Sequence, residues 1–238
     1  MVALLLAAAL IVAALALSVR RLLILRRLPA LPGVSVDTPV DDTTVDADGV
    51  CRSLQTATLT MPAERADRLF TAEMLERLAR TYWAYMTTLT LGVVRIFYRP
   101  DERSMSLLVR PVKLLRFAAP EYALDGERGY VRWRIVGGLL LARRGREDGH
   151  GYLSIAIERL EPAASGESRV HIEVEVESFH PLVHRISPWL YTHTQSRFHV
   201  LLAYGFLDRL VRRDLDLSVT GRFSGDRSRA TKTPPATR

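Results

Sequence analysis

Three polar side chains are spaced to lie on one face of a predicted helix near the C-terminus. His193, Arg197 and Tyr204 are separated by four and seven residues, a spacing that brings side chains to the same side of an α-helix. Leu190 and Leu201 share that side. If this face meets a sheet, a few polar groups lie in an apolar pocket, as in many small-molecule sites. Alternatively, His193 and Arg197 lie at the mouth of such a pocket or hydrogen-bond to the backbone.

The histidines do not have the pattern of a metal site. His180 and His184 are four residues apart, which on a helix would suit two metal ligands. Pro181 lies between them, however, and proline interrupts a helix. His193 and His199 are six residues apart and fall on different sides of a helix. We therefore predict that these polar groups cap a strand–helix junction, and we predict no bound metal.

No arrangement of nucleophile and base is evident. Glu173, Glu175 and Glu177 alternate along one predicted strand, where carboxylates usually form a solvated face. Cys51 begins a strand without an evident histidine partner, and the chain contains no G-x-S-x-G motif. We therefore predict no catalytic residue and no cofactor.

The N-terminus is apolar and then basic. Residues 2–19 carry no charge and contain one hydroxyl group, that of Ser18; as a helix they would span about 27 Å, close to the thickness of a bilayer core. A secretory signal is the alternative, but the basic n-region is missing. We predict that residues 1–27 form a transmembrane anchor with a basic flank, so that a lipid bilayer is a partner. Because the arginines follow the apolar run, the domain is predicted to be cytoplasmic, on a single-pass protein of the cell membrane.

Much of the net charge of +7 belongs to the ends of the chain. Residues 1–28 and 218–238 each carry a net charge of +4, which favours a membrane-proximal cluster and a disordered basic tail over a nucleic-acid partner. Residues 28–49 contain three prolines, five aspartates and no aromatic residue. Such a segment buries little apolar surface. We predict that it is an acidic, extended linker.

The hydrophobic period changes along residues 50–217, which we predict to form one domain. Residues 50–61 alternate as a strand does, residues 62–86 show helical spacing, six strand-like segments follow over 92–179, and residues 189–215 are again helical. Three aromatic residues of the earlier helix are predicted to be core or membrane-facing packing: Tyr82, Trp83 and Tyr85.

Alternation predicts which strand residues point inward. Arginines mark the outer face of two strands, so that Tyr98 on the first and Trp133 and Ile135 on the second face the interior. Gly137 and Gly138 follow directly and indicate a bulge or sharp bend.

This order of elements, and the junction VEVESFHPLVHRISPWLYTHTQSRFH between the last strand and the long helix, resembles the START-like (SRPBCC) superfamily over residues 50–215. The resemblance implies an α+β helix-grip fold, in which a curved antiparallel sheet wraps around a long C-terminal helix and an apolar cavity lies between them. Members bind lipids, sterols, polyketides or other hydrophobic molecules, and some are enzymes.

The expected function is membrane-tethered binding or transfer of a hydrophobic small molecule, lipid or polyketide-like. The alternatives are a cyclase or aromatase that uses the same cavity, and a structural domain without a ligand. No oligomeric state is predicted. The predicted ligand-binding residues are Tyr98, Trp133, Ile135, His193, Arg197 and Tyr204.

Overall fold

The computed structural model describes residues 29–108, 112–160, 166–182, 197–213 and 215, without the side chains of 197–199. Its strands are β1 (Ser35–Val36), β2 (Val40–Val45), β3 (Cys51–Pro62), β4 (Val94–Tyr98), β5 (Glu102–Leu107), β6 (Lys113–Ala118), β7 (Glu121–Leu124), β8 (Arg128–Gly137), β9 (Tyr152–Arg159) and β10 (Glu167–Phe179). Its helices are α1 (Ala63–Leu69), α2 (Ala72–Leu89), α3 (Arg143–Asp148) and α4 (Arg197–Arg212).

The strands form one antiparallel sheet in the order β1-β3-β10-β9-β8-β6-β5-β4, with β2 added to β3 and β7 added to β8. Strands β3 and β10 pair from Glu167 opposite Pro62 to Val176 opposite Ser53. The prediction of a large antiparallel sheet is therefore confirmed. One strand predicted over residues 114–124 is divided into β6 and β7, because Pro120 between them has no amide hydrogen for the ladder.

The inner face of the sheet is apolar and the outer face is charged. On β8, Val131, Trp133 and Ile135 are buried, and the valines and isoleucine of β10 are buried in alternation with partly exposed glutamates. These inward positions agree with the alternation of the sequence.

Two helices cover the inner face. The C-terminal helix α4 packs on α2 and β3, while α2 is equally buried and begins at Thr71, whose hydroxyl accepts a hydrogen bond from the amide of Met74 at 3.3 Å. At Gly205 of α4 the helices approach so closely that a Cβ would lie 1.8 Å from the Tyr85 hydroxyl. The sheet therefore encloses two helices, whereas the resemblance to START-like proteins implies that it wraps around one.

The segment predicted to be an unstructured linker contains β1 and β2. Backbone pairing with β3 holds both strands in place. The Asp41 carboxylate accepts a hydrogen bond from the side-chain amide of the buried Gln55 at 2.8 Å. The carboxylate of Asp37, directly after β1, accepts one from the backbone amide of Thr58 at 2.7 Å. The prediction for residues 28–49 was wrong at these strands because an edge strand can be held by hydrogen bonds without much apolar burial.

The described residues contain no helix long and apolar enough to cross a bilayer. The predicted anchor at residues 1–27 and the predicted tail at 218–238 lie outside those residues.

The backbone is distorted at Gly138, directly after β8, where the sequence predicts a bulge or sharp bend. Gly138 has a φ of +122°, and a Cβ there would lie 2.3 Å from the carbonyl oxygen of Leu114. The following amides of Leu139 and Leu140 bond to Lys113 and Leu114. The chain therefore leaves β8 by crossing directly over β6, which only glycine permits.

We expect Gly138→Ala to lower the free energy of unfolding by about 4 kcal/mol or more, because strain at positive φ adds to a backbone clash. Gly126→Ala is the matched control. Gly126 has a φ of +95°, but no atom lies within 4 Å of the position of an added Cβ. This substitution should therefore lower the free energy of unfolding by only about 1–2 kcal/mol. Urea denaturation of both variants measures the difference. Equal losses would show that the close approach over Leu114 does not constrain the fold.

Candidate functional site

A cavity of about 110 Å³ lies between α2, α4 and the inner face of the sheet. It is bordered by the C-terminal half of α2, the first turns of α4, and the ends of β8 and β10. Its lining is apolar except for the tyrosine hydroxyl and the indole nitrogen: Tyr82, Trp83, Met86, Val94, Met105, Leu114, Leu115, Phe117, Ile135, Leu140, Leu153, Val176, Phe179 and Leu202.

An aromatic cluster fills the space next to this cavity. The ring centre of Trp83 lies 5.1 Å from that of Trp133, in an edge-to-face arrangement. It lies 5.3 Å from the ring centres of both Tyr82 and Phe117. Tyr82 in turn meets Phe206 of α4 at 5.4 Å. Offset and edge-to-face pairs of this kind favour a fixed arrangement of the rings. The cavity therefore ends at Trp83 and does not reach Trp133.

Two polar groups of the lining have unusual surroundings. No described residue accepts a hydrogen bond from the buried Trp83 Nε1, and an unsatisfied buried donor costs about 1–3 kcal/mol. Burial raises the pKa of Tyr82, so this phenol stays protonated and neutral at physiological pH. Tyr82 can donate a hydrogen bond but is unsuited to remove a proton from a substrate.

Of the residues that the sequence predicts to bind a ligand, Ile135 lines the cavity. Trp133 lies two residues away on the same face of β8, where it is buried against Trp83. Tyr98 lies away from the cavity on the edge strand β4. Its hydroxyl accepts a hydrogen bond from Arg80, and Arg103 lies 5.1 Å from its ring centre.

The polar stripe predicted on the C-terminal helix does not point into the cavity at its described position. The Tyr204 hydroxyl donates to the carbonyl oxygen of Pro39 at 3.2 Å, and burial, together with Asp41, raises its pKa. Arg197 begins α4, but its side chain, like the whole of His193, lies outside the described residues. The buried face of α4 instead contains Leu202, Ala203, Phe206, Leu207, Leu210 and Val211.

The contribution of α2 to the cavity was not predicted from the sequence. Tyr82, Trp83 and Met86 form one wall of the cavity, whereas Tyr82 and Trp83 were predicted only to be packing residues. The sequence of α2 does contain evidence that this helix is buried on more than one side. Trp83 and Tyr85 lie outside its apolar stripe, which consists of Leu75, Leu78, Ala79 and Tyr82. An apolar arc that wide requires a helix buried on most of its circumference.

His180 directly follows β10 and contacts the segment around α3. Its Nε2 lies 3.2 Å from Asp148 of α3, and its carbonyl oxygen accepts from the amide of Ala142. Among the described residues, no group of three histidine, cysteine or acidic side chains is placed to hold a metal ion.

No family model and no curated protein matches this chain. Among solved structures it is similar to human STARD10 (10% identity, 70% of this chain and 73% of that chain, TM-score 0.29). It is also similar to CalU16 from Micromonospora echinospora (8% identity, 73% of this chain and 86% of that chain, TM-score 0.22). A third similar structure is Ara h 8.0201 (13% identity, 74% of this chain and 99% of that chain, TM-score 0.25). Likenesses this weak do not assign a family or a ligand.

We expect Ile135→Ala to lower the free energy of unfolding by about 2–5 kcal/mol, because the residue is 2% exposed and its loss enlarges the cavity. The control is Val136→Ala, at the next residue on the same strand. Val136 is 41% exposed on the outer face, so this substitution should change the free energy of unfolding by no more than about 0.5 kcal/mol. Chemical denaturation measures both. A small loss for Ile135→Ala would contradict the described packing around the cavity.

Proposed function

We propose that this protein binds a hydrophobic small molecule in the cavity between α2, α4 and the sheet. The observation that carries the proposal is the lining itself, which is apolar on nearly every side of a space of about 110 Å³. Protein interiors are normally packed with few voids larger than a water molecule. An apolar molecule that enters a space with this lining gains about 25 cal/mol for each Å² removed from water.

The size of the cavity limits the ligand. Benzene enters an apolar cavity of about 150 Å³, so the present space takes only part of a lipid or polyketide-like molecule. A larger ligand requires α4 to move away from α2 at the Leu202 end. Binding would therefore be coupled to a displacement of the C-terminal helix.

Trp83 suggests one polar feature of the ligand. Its Nε1 has no acceptor among the described residues, and the ring lines the cavity. A carbonyl or hydroxyl oxygen on an otherwise apolar ligand would satisfy this donor. An apolar skeleton with a single oxygen fits this requirement better than a plain hydrocarbon.

The proposal includes a tether to the membrane. Its support is the uncharged run of residues 2–19, followed by four arginines within residues 20–27, in a protein whose ligand would be poorly soluble in water. A tether raises the concentration of the cavity near the bilayer. The resemblance to START-like proteins supports a carrier of this kind. The cyclase alternative gains no support from the described lining, where Tyr82 is the only titratable group.

We expect Val176→Phe to weaken binding of a neutral apolar probe by about tenfold or more, because the added ring occupies the cavity. The measurement is native mass spectrometry of the full chain released from detergent, with the naphthalene ketone prodan as the probe. Val136→Phe makes the same substitution on the outer face and should change occupancy by no more than about twofold.

Trp83→Phe separately tests the hydrogen bond that the Trp83 Nε1 would donate to an oxygen of the ligand. Loss of one hydrogen bond should weaken prodan binding about two- to tenfold. The affinity for naphthalene, which has no oxygen, should fall by less. Equal prodan occupancy in wild type and Val176→Phe would contradict binding in this cavity. Thermal unfolding of each variant verifies that it is folded.

A further inference from the structure

A groove of about 380 Å³ crosses the outer face of the sheet, from β7 over β8 and β9 to β10. Its floor includes two residues with small side chains, Ala123 of β7 and Ala156 of β9. In register, Ala156 lies between Tyr130 of β8 and Glu173 of β10. The short alanine side chain therefore leaves room between two longer ones. We call this space the outer groove.

The rim of the outer groove carries more carboxylates than cationic groups. Its charged and titratable members are Asp125, Arg128, Glu158, His171 and Glu173. Arg128 donates to Glu158 at 2.9 Å, and Glu173 lies 3.4 Å from the Nε2 of His171. The backbone amides of Arg128 and of the residue before it hold the pKa of Asp125 below its ordinary value, so this carboxylate is ionised at neutral pH. The lining is therefore net negative even when the imidazole is protonated.

Two arginines flank the outer groove without lining it, and both have carboxylate neighbours of their own. Arg132 lies over the ring of Tyr152 at 4.3 Å, and the hydroxyl of that tyrosine donates to Glu177. Arg169 follows Glu167 on the same face of β10. The connection from β9 to β10 at 161–165, EPAAS, adds one acidic residue and no basic one. The surroundings therefore leave the rim negative.

The C-terminal tail has the complementary composition. Residues 218–238 carry five basic side chains and one acidic side chain, a net charge of +4. Their single aromatic residue, Phe223, directly follows Arg222. The outer groove offers a partner for each feature, since the Tyr130 ring stands beside an alanine floor and carboxylates stand at the rim. Ring–ring contacts and charge-assisted hydrogen bonds are the corresponding interactions.

The tail also starts at the right end of the sheet. The last described residue is Leu215, whose carbonyl oxygen accepts a hydrogen bond from Arg77 at 2.7 Å. Leu215 and Ile157 line the same space on the inner face, and Ile157 also borders the outer groove. Phe223 follows Leu215 by eight residues, which span about 27 Å when extended. That length is more than twice the spacing of about 10 Å between packed layers, so the tail can pass around the end of the sheet.

We infer that the outer groove is the docking site of this protein's own C-terminal tail. Phe223 lies over Ala156 beside the Tyr130 ring, and the basic side chains of the tail lie along the carboxylates of the rim. Docking within one chain needs no high protein concentration. The outer face of a second copy suits the groove less well, because it presents the same negative rim. The basic segment 20–27 contains no aromatic residue.

Zero-length cross-linking with a carbodiimide tests this docking, because the chain contains only two lysines, Lys113 and Lys232. The reagent joins an amine to a carboxylate that contacts it. Lys113 lies 2.9 Å from Glu102, so the link between them is an internal reference. In the full chain held in a non-ionic detergent, we expect Lys232 to link to Glu158 and Glu173, as identified by peptide mass spectrometry. The yield should fall as salt is added, because the rim is partly exposed to solvent.

The exposure of the carboxylates distinguishes docking from random contact. The side chain of Glu64 is 90% exposed, and its helix α1 borders the space in which Leu215 lies. The side chain of Glu173 is only 43% exposed. A tail that meets carboxylates at random would therefore react with Glu64 at least as often as with Glu173. Docking should favour the link to Glu173 by at least about fivefold.

Two variants alter the groove and the tail while keeping both linked residues. We expect Ala156→Arg, which places a cation in the floor, to lower the yield of the Lys232–Glu173 link at least about fivefold. Val136→Arg is the matched control, since Val136 is exposed on the outer face of β8 and outside the lining; its effect should stay within about twofold. Phe223→Ser should lower the yield about threefold or more. An unchanged reference link and thermal unfolding verify that each variant is folded.

The inference would be overturned if the reference link formed and Lys232 gave none, if Glu64 reacted as often as Glu173, or if Ala156→Arg left the yield unchanged. Mixing isotopically labelled and unlabelled chains adds a further test. Linked peptides that combine both labels would assign the groove to the tail of a second copy, and links to the amine of Met1 in place of Lys232 would assign it to the N-terminal segment. Either result would contradict docking within one chain. None of these measurements depends on ligand binding in the cavity.

Discussion

The pairing of β3 with β10 is the constraint on which the rest of the structure depends. It joins the first long strand to the last along an almost continuous ladder from Pro62 to Ser53. Its partners are separated by more than a hundred residues, so the entropic cost of closing the chain is large, and the intervening elements must fold back between the two strands. Because α1 and α2 follow β3 directly, they reach the inner face from this side of the sheet.

An aromatic cluster divides the concave side into two spaces. Trp83 lies edge to face against Trp133, and Tyr82 bridges to Phe206 of α4. These rings lie between the cavity at the Leu202 end of α4 and a space of about 290 Å³ at the Leu210 end. A ligand as long as the sheet would have to displace this cluster, and that would cost several kcal/mol of packing.

The parts predicted correctly from the sequence depend on local chemistry. Alternation placed Trp133 and Ile135 inward, and the glycine pair marked the distortion at Gly138, because the period of a strand and the freedom of glycine do not depend on distant partners. The phase of α4 depends on which residues the sheet covers. Leu201 and Leu202 are both apolar, and only tertiary packing buries the second more deeply. The pairing of β2 was likewise invisible, because hydrogen bonds to a strand edge leave little trace in composition.

In the proposed function, the apolar cavity selects its ligand by size and shape, since each buried methylene contributes about 0.8 kcal/mol and an unpaired polar group is penalised. The neutral Tyr82 hydroxyl and the Trp83 Nε1, which has no acceptor among the described residues, add direction without charge. Among the described residues no charged group lines the cavity, so binding there should not weaken as ionic strength rises.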